Sequence, residues 1–258
     1  MTAPHEATAD LLEQARRVVV LTGAGMSAES GVPTFREAQT GLWARFNPEE
    51  LATERAFREN PARVFGWYLQ RLHAVRAAEP HAGYRALARL AQRFRDGFCI
   101  VTQNVDGLHA RAGSRNVVEL HGSLEAFRCI ECQLPFPADQ IVGLDDVQAE
   151  RPPPTCRECG NLIRPGVVWF GESLPSDAIG RAWRAAEEAD VALVVGTSSL
   201  VYPAANLPAV VRGRGGRVIE INPDETPLSP SVDLYWSAPA GEALPLLAEA
   251  LAGSQERR

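Results

Sequence analysis

Short runs of apolar, largely β-branched residues recur along the chain and predict buried strands. They lie at 18–21, 98–101, 117–120, 191–195, 217–221 and 233–236. Amphipathic stretches such as residues 84–94 separate them and predict helices. Because strands that alternate with helices usually form a parallel sheet, the pattern predicts an α/β fold.

Two stretches interrupt this alternation. Residues 43 to about 80 have the pattern of a helical insertion, and residues 123 to about 166 contain four of the five cysteines. With 258 residues, of which 45% are hydrophobic, the chain can form one domain or one large domain with a small insertion.

Composition and charge narrow the function classes. No window approaches about 18 uninterrupted apolar residues, and the first ten residues lack the basic and apolar regions of a signal peptide. We therefore expect a soluble, cytoplasmic protein that does not bind membranes. The net charge of −6 gives no global electrostatic reason for specific nucleic-acid binding. All 26 basic residues are arginine, so the protein cannot be acylated on lysine side chains of its own.

The cysteines form two Cys-x-x-Cys pairs, Cys129 with Cys132 and Cys156 with Cys159, separated by 23 residues. This spacing is close to that of four-thiolate zinc sites, in which a closed tetrahedral ion stabilises structure and activates no water. Two disulfides or a thioredoxin-like redox pair are the alternatives. A cytosolic context disfavours disulfides, and a position outside any strand–helix unit disfavours the redox pair. The sequence therefore favours one structural Zn²⁺.

A glycine-rich run, GAGMSAESGVPTFR at 23–36, follows the first predicted strand. Gly23, Gly25 and Ala28 have the spacing of a dinucleotide fingerprint, in which small residues let the backbone approach a pyrophosphate. By itself, an ordinary strand-to-helix turn explains this spacing equally well. The glycines and prolines that follow, up to residue 41, predict a long irregular loop. Such a loop argues against a dehydrogenase, in which a continuous helix would follow.

This run resembles the GAGxSxxSGIPDFR signature of the sirtuins, the NAD-dependent protein lysine deacylases, with Thr34 where many members have aspartate. TQNVDGLH at 102–109, ELHGS at 119–123, WFGE at 169–172, GTSSLVYPA at 196–204 and EIN at 220–222 follow in the family's order. The resemblance extends from about residue 10 to the C-terminal helix.

The resemblance implies a Rossmann-like parallel-sheet domain made of residues 1–42, 80–122 and 167–258. A small domain would combine the helical part, 43–79, with the zinc ribbon, 123–166. The active site would lie in the cleft between the two domains.

The resemblance also implies that NAD is consumed as a co-substrate. The implied cofactor-binding residues are Gly23, Ala24, Gly25, Ser27, Ala28, Glu29, Pro33, Thr34, Phe35, Arg36, Gln103, Asn104, Asp106, Gly196, Thr197, Ser198, Asn222 and Ala240. From the residues alone, Asn104 and Asp106 could form a turn before a helix.

His121 is the catalytic candidate, with Asn104 beside it in the resemblance. It follows an apolar run, so it lies at the carboxyl end of a strand, where open α/β sheets bind ligands. A structural histidine at a strand end is the alternative from the residues alone. In the resemblance, His121 is the general base that deprotonates a ribose hydroxyl, a step that suits imidazole. We expect His109 to be supporting and His5, His73 and His81 to lie at the surface.

Tyr68 and Arg71 are three residues apart on a predicted helix and therefore share a face. Guanidinium groups bind carboxylates bidentately, and a tyrosine hydroxyl adds a hydrogen bond. The pair resembles that of class III sirtuins, whose pockets accept succinyl, malonyl or glutaryl groups. Ala52 matches the small residue that leaves space for the longer acyl chain, and Thr34 also agrees with this class. A solvated arginine beside a half-buried tyrosine is the alternative.

For the peptide, the resemblance implies that two strands clamp the substrate backbone by β-augmentation. The implied residues are Val168, Phe170, Gly171, Glu172 and Val201. The partners would be proteins with acylated lysines. For the oligomeric state, which the sequence does not determine, a monomer is favoured.

The implied reaction begins when the acyl carbonyl oxygen attacks the ribose, releasing nicotinamide, and it ends with free lysine and O-acyl-ADP-ribose. The expected function is thus removal of succinyl or malonyl groups, and of acetyl groups as well. The alternatives are a mainly acetyl-directed enzyme, a mono-ADP-ribosyltransferase, a dehydrogenase that would form NADH, and a binding module without turnover.

Overall fold

The computed structural model describes residues 2–32, 50–141 and 150–256, with the side chains of the last three excluded. The α-helices in this part of the chain are α1 (Pro4–Gln14), α2 (Gly25–Ala28), α3 (Glu54–Glu59), α4 (Pro61–Ala77), α5 (Ala82–Phe94), α6 (Leu108–Arg111), α7 (Ser176–Glu188), α8 (Leu207–Gly213) and α9 (Ala240–Glu256). The strands are β1 (Val18–Thr22), β2 (Phe98–Thr102), β3 (Val117–Glu119), β4 (Gly122–Cys129), β5 (Pro135–Phe136), β6 (Ile163–Val167), β7 (Val191–Val195), β8 (Arg217–Ile221) and β9 (Leu234–Trp236).

Six strands form one parallel sheet in the order β3-β2-β1-β7-β8-β9. Each contains one of the apolar runs, so the α/β prediction is confirmed. Alternate residues of β1 enter different cores: Val18 and Val20 pack with α1, α5 and α9, whereas Val19 and Leu21 pack with α7 and α8. Helices thus cover both faces, which explains why the central strands are apolar without alternation.

A second, antiparallel sheet has the order β5-β4-β6. It shares one hydrophobic core with α3 and α4, in which Phe57 and Phe65 of the helices meet Phe127 and Ile163 of the strands. Asn60 caps α4 by accepting the Arg63 N–H, and Pro61 occupies the first helical position, so α4 begins where its sequence specifies. The helical stretch and the cysteine-bearing stretch therefore pack together, although other elements separate them in the chain.

The direction of the chain positions the site. The strands β2 and β3 follow on one side of β1 in the sheet, and the strands β7, β8 and β9 follow on its other side. The carboxyl ends of β1, β2 and β7 therefore border a topological switch point, where open α/β sheets bind ligands. Within the described ranges, no helix is both long and apolar enough to cross a bilayer.

Candidate active site

The turn after β1 packs against the end of β7 and requires glycine. The Gly25 N–H donates to the Gly196 carbonyl at 2.8 Å. Gly196 has φ of +57°, and a Cβ at this residue would lie 2.4 Å from the Met26 nitrogen. Both the backbone conformation and the available space thus exclude a side chain there. The glycines fix the turn at the switch point.

A buried polar network connects this turn to the residues after β2. The Ser27 hydroxyl donates to Asp106 Oδ2 at 2.6 Å and contacts the Tyr84 hydroxyl at 2.9 Å. The Asn104 amide donates to Ser27 Oγ at 2.8 Å and to the Gly23 carbonyl at 2.9 Å. Burial raises the pKa of Asp106, while the hydrogen bond from Ser27 opposes the rise. The network holds a carboxyl and an amide in fixed orientations beside the cavity.

His121 directly precedes β4 and is half-buried. Its Nδ1 lies 2.9 Å from the Gln103 carbonyl oxygen. Because a carbonyl only accepts, this contact assigns the proton to Nδ1 and leaves Nε2 as an acceptor. Burial lowers the pKa of His121, and the hydrogen bond to Gln103 partly offsets this effect. The imidazole is therefore neutral near pH 7, with a free lone pair on Nε2.

These groups border a cavity of about 510 Å³. Many of the residues singled out from the sequence line it together: Ala24, Ser27, Ala52, Tyr68, Arg71, Gln103, Asn104, Asp106, His121, Val168, Phe170, Gly171, Glu172, Thr197, Ser198 and Val201. The segments that carry these residues are far apart in the sequence. Their convergence at the carboxyl end of the parallel sheet is the main geometric feature of the site.

Other candidates do not line the cavity. Gly23, Gly25, Ala28 and Gly196 form or adjoin the turns behind it. The Asn222 amide donates to the Thr197 carbonyl at 2.9 Å, and the Glu29 carboxylate accepts the Gly241 N–H at 2.8 Å in the first turn of α9, which begins at Ala240. Pro33, Thr34, Phe35 and Arg36 lie outside the described residues, as does the predicted loop up to residue 41.

The remaining histidines differ in environment. His109 is buried, and its Nε2 lies 3.0 Å from Thr22 Oγ1. The expectation that His81 lies at the surface is wrong, because its ring is half-buried and hydrogen-bonded to the Met26 carbonyl at 2.7 Å. His81 also caps α5, because its Nδ1 accepts the Gly83 N–H at the start of that helix.

Tyr68 and Arg71 reach the cavity from α4. The Tyr68 hydroxyl accepts a hydrogen bond from Trp169 Nε1 at 2.9 Å, and burial raises its pKa to about 12. The Arg71 guanidinium carbon lies 4.8 Å from the centre of the Trp67 ring and 5.7 Å from that of Tyr68. Burial lowers the pKa of Arg71, and the fields of Tyr68 and Asp106 oppose this. Among the described residues, Arg71 forms no ion pair with a carboxylate.

Sequence reasoning missed Arg164 and Trp169. Arg164, in β6, is almost fully buried and forms an ion pair with Glu172, with Nη2 3.0 Å from Oε2. The Trp169 N–H donates to Glu172 Oε2 at 2.8 Å. Glu172 therefore lines the cavity with its carboxylate already bonded within the protein. An arginine in an otherwise apolar strand was the available signal, because such a charge needs a buried partner.

The four cysteines converge as their spacing predicts. Sγ of Cys129 lies 3.4 Å from that of Cys159, and Sγ of Cys132 lies 3.6 Å from that of Cys156. All four sulfurs lie within 4.8 Å of one another. For Zn–S bonds of about 2.3 Å, tetrahedral geometry requires sulfurs about 3.8 Å apart, so the cluster fits one zinc ion. With four protein ligands, the zinc would have no open position for chemistry.

Comparisons with known proteins agree with this geometry. Residues 23–203 match the sequence model of the Sir2 family. The chain is 52% identical over 248 residues to the NAD-dependent protein deacylase of Ralstonia nicotianae, covering 95% of this chain and 96% of that protein. It is 50% identical over 233 residues to NAD-dependent protein deacylase 1 of Archaeoglobus fulgidus, covering 90% and 92%. A solved Sir2 homologue in complex with NAD has 47% identity and a TM-score of 0.88, over 96% of this chain and 94% of that one.

Proposed function

This chain belongs to the Sir2 family and is an NAD-dependent protein deacylase, and we propose that it acts preferentially on lysines carrying succinyl or malonyl groups, with acetyl as a poorer substrate. The observation that carries this proposal is Arg71, which lines the same cavity as His121 and has no carboxylate partner among the described residues. The products would be nicotinamide, free lysine and the O-acyl ester of ADP-ribose.

The environment of Arg71 explains the preference. A half-buried guanidinium without an anion loses hydration and gains no ion pair, and this cost lowers its pKa. The carboxylate of a succinyl group would provide the missing anion, whereas an acetyl methyl group would leave the arginine unpaired. A hydrogen bond to a charged group contributes about 1.5–3 kcal/mol, which corresponds to roughly 10- to 150-fold in transition-state binding.

His121 is suited to act as the general base. Its Nδ1–H is bonded to the Gln103 carbonyl, so Nε2 is the nitrogen that accepts a proton from the ribose hydroxyl. The lowered pKa keeps the ring neutral and able to accept that proton at pH 7. Gln103 also donates from its amide to Thr197 Oγ1 at 3.1 Å, which fixes the segment that holds the base.

The donors around the cavity fit NAD. When bound, NAD supplies the ADP-ribose that accepts the acyl group, with nicotinamide as the leaving group. Asn104 and Asp106 offer a fixed amide and carboxyl for the ribose and the nicotinamide, and Thr197 and Ser198 offer hydroxyls beside the glycine turn. Because Ser27 orders Asn104 and Asp106 from behind, little side-chain freedom remains to be lost on binding.

The peptide would bind at the open side of the cavity. Phe170 and Val201 line it with 55% and 43% of their surfaces exposed. Exposed apolar residues beside a cavity mark an interaction site. Main-chain pairing there would tolerate many peptide sequences, in keeping with acyl-lysine proteins as partners. The monomeric state and cytoplasmic location remain part of this proposal.

The test uses two peptides that differ only in carrying succinyl-lysine or acetyl-lysine. Purified enzyme is incubated with NAD, and nicotinamide release and peptide mass are followed. We expect a higher kcat/KM for the succinyl peptide. Arg71→Met should reduce succinyl kcat/KM about 10- to 100-fold while changing acetyl kcat/KM far less, because only the carboxylate loses its partner.

His121→Gln provides the inactive control, since it should lose turnover of both peptides. Equal loss of both activities in Arg71→Met would contradict the acyl preference, as would a wild type that prefers acetyl. Transfer of ADP-ribose to the peptide, detected by its mass, would instead favour the mono-ADP-ribosyltransferase.

A further inference from the structure

Trp169 makes the one hydrogen bond that the Tyr68 hydroxyl forms within the described residues. Both side chains are buried, with 2% and 3% of their surfaces exposed. An indole N–H only donates, so the Tyr68 oxygen accepts from it. The hydroxyl proton of Tyr68 is therefore left without an acceptor in this part of the chain.

This arrangement decides what Tyr68 offers to a ligand. Because the Trp169 N–H occupies one lone pair of the Tyr68 oxygen, the Tyr68 O–H bond is directed away from it. Tyr68 also lines the cavity, so this O–H can donate to a ligand there. Arg71, on the same helix face, also only donates. The two side chains thus present donors to the acyl pocket, and a carboxylate can satisfy both at once.

Trp169 is held in place from several sides. The guanidinium carbon of Arg164 lies 3.4 Å from the centre of the indole ring, and the Phe57 ring lies 5.3 Å away. Arg164 is itself fixed by its ion pair with Glu172 and by a 2.9 Å hydrogen bond to the Val167 carbonyl. The indole therefore has little freedom to rotate its N–H away from Tyr68.

The position of Arg164 also affects the donor. A cation over an aromatic face attracts π-electron density, which polarises the ring and strengthens the N–H as a donor. The guanidinium is desolvated, so this interaction is stronger than at an exposed site. Successive contacts thus connect Glu172 to Arg164, Arg164 to Trp169, and Trp169 to Tyr68 in the acyl pocket.

We propose that Trp169, supported by Arg164 and Glu172, is a positioning residue that selects acidic acyl groups by orienting the Tyr68 hydroxyl as a hydrogen-bond donor. The inference rests on the proposed acidic-acyl preference. Trp169 also lines the cavity, and its effect on substrate choice would pass through Tyr68, which the double-mutant cycle isolates.

The test is a double-mutant cycle with Trp169→Phe, Tyr68→Phe and the double variant. Trp169→Phe keeps an aromatic ring and removes the N–H. Loss of one neutral hydrogen bond predicts that the KM for succinyl peptide rises about 3- to 10-fold relative to the KM for acetyl peptide, with kcat for the succinyl peptide changed less than twofold. In the Tyr68→Phe background, Trp169→Phe should not change the KM ratio further, because the oriented hydroxyl is already absent.

Trp183→Phe is the matched control, because it makes the same chemical change in α7, away from the cavity. It should leave the succinyl-to-acetyl ratio at the wild-type value. Thermal unfolding of each variant is measured first. If Trp169→Phe does not fold, Glu172→Gln carries the test. It weakens the ion pair with Arg164 and the acceptor of the Trp169 backbone N–H while the indole itself is kept, and the KM ratio should shift in the same direction by about 2- to 3-fold.

Two failures can be told apart. A wild type without succinyl preference, together with equal effects of Arg71→Met on both peptides, would overturn the proposed function and this inference with it. A wild type that prefers succinyl, combined with equal KM changes for both peptides in Trp169→Phe or with additive effects in the cycle, would overturn only the role of Trp169.

Discussion

Acid should destabilise this protein through His109 at a pH where most carboxylates are still ionised. His109 is 2% exposed, and its Nδ1 has no hydrogen-bond partner among the described residues. Its Nε2 contacts Thr22, and its ring packs on Tyr84 with centroids 4.7 Å apart. Burial, reinforced by the nearby His81, lowers its pKa from 6.5 to about 3. The charged imidazolium carries a proton on both ring nitrogens, so its Nδ1–H would be buried without an acceptor among the described residues.

The sign and size of the effect follow from proton linkage. Below pH 6.5 the unfolded chain binds a proton at His109 that the folded protein does not bind, so stability falls as pH falls. The full stability is present above pH 6.5, and the loss continues down to the folded pKa near 3. Each pH unit in this window costs about 1.4 kcal/mol, so the loss at pH 5 is about 2 kcal/mol.

The assay compares wild type with His109→Phe, which keeps a ring against Tyr84 but does not titrate. The free energy of unfolding is measured with urea at pH 7.5, 6 and 5. The variant should be less stable at pH 7.5, since the Thr22 contact is lost, but its stability should fall about 2 kcal/mol less between pH 7.5 and 5. Protonation of the cysteines at low pH weakens zinc binding in both proteins, so it cancels in the difference.

His73→Gln is the control for replacing a histidine as such, because His73 lies exposed on α4. Equal losses of the free energy of unfolding in wild type and His109→Phe between pH 7.5 and 5 would contradict this prediction. Parallel curves would mean that the folded protein accepts the proton at His109 without cost.

Two further predictions concern the frame of the site. Gly196→Ala should reduce kcat/KM for NAD at least 10-fold and lower the melting temperature, because its Cβ would lie 2.4 Å from the Met26 nitrogen at a φ of +57°. Steady-state kinetics and thermal unfolding measure the two effects. A variant with unchanged kinetics and melting temperature would show that the turn can shift. Removal of zinc by a chelator should abolish deacylation together with the near-ultraviolet circular dichroism signal. Added Zn²⁺ should restore both. Metal-free protein with full activity would contradict a structural zinc.

The sequence predicted those parts of the fold that local pattern encodes. Apolar runs located the six strands of the parallel sheet in the described residues, most clearly the central ones, because a strand buried on both faces needs no polar positions. The two Cys-x-x-Cys pairs located the metal site, because zinc restricts both ligand type and spacing. The i, i+3 spacing of Tyr68 and Arg71 correctly placed both side chains on one face, directed at the cavity. Each of these predictions depends on residues close together in the chain.

Long-range pairing was beyond sequence reasoning. Ser27 contacts Asp106, 79 residues away, and Trp169 donates to Tyr68, 101 residues away. Such pairs depend on how the segments pack, which periodicity does not specify. Glu172 is an example: its position in a recognised motif suggested a main-chain peptide contact, and nothing near it in the sequence indicated that its carboxylate is bonded to the buried Arg164.

The packing also connects the proposed acyl pocket to the four-cysteine site. Tyr68 and Trp169 belong to the same hydrophobic core as Cys129 and Cys156, and so does β4, which begins directly after His121. The strand before His121, β3, and the strands that border the glycine turn, β1 and β7, belong to the other cores. Cores transmit small displacements because they are close-packed. The hydrogen bond between Trp169 and the Tyr68 hydroxyl therefore lies in a core that Cys129 and Cys156 help to form. The chain thus passes from one packed unit to the other at His121, and Tyr68 and Trp169 of the proposed acyl pocket lie in the unit that contains the cysteines.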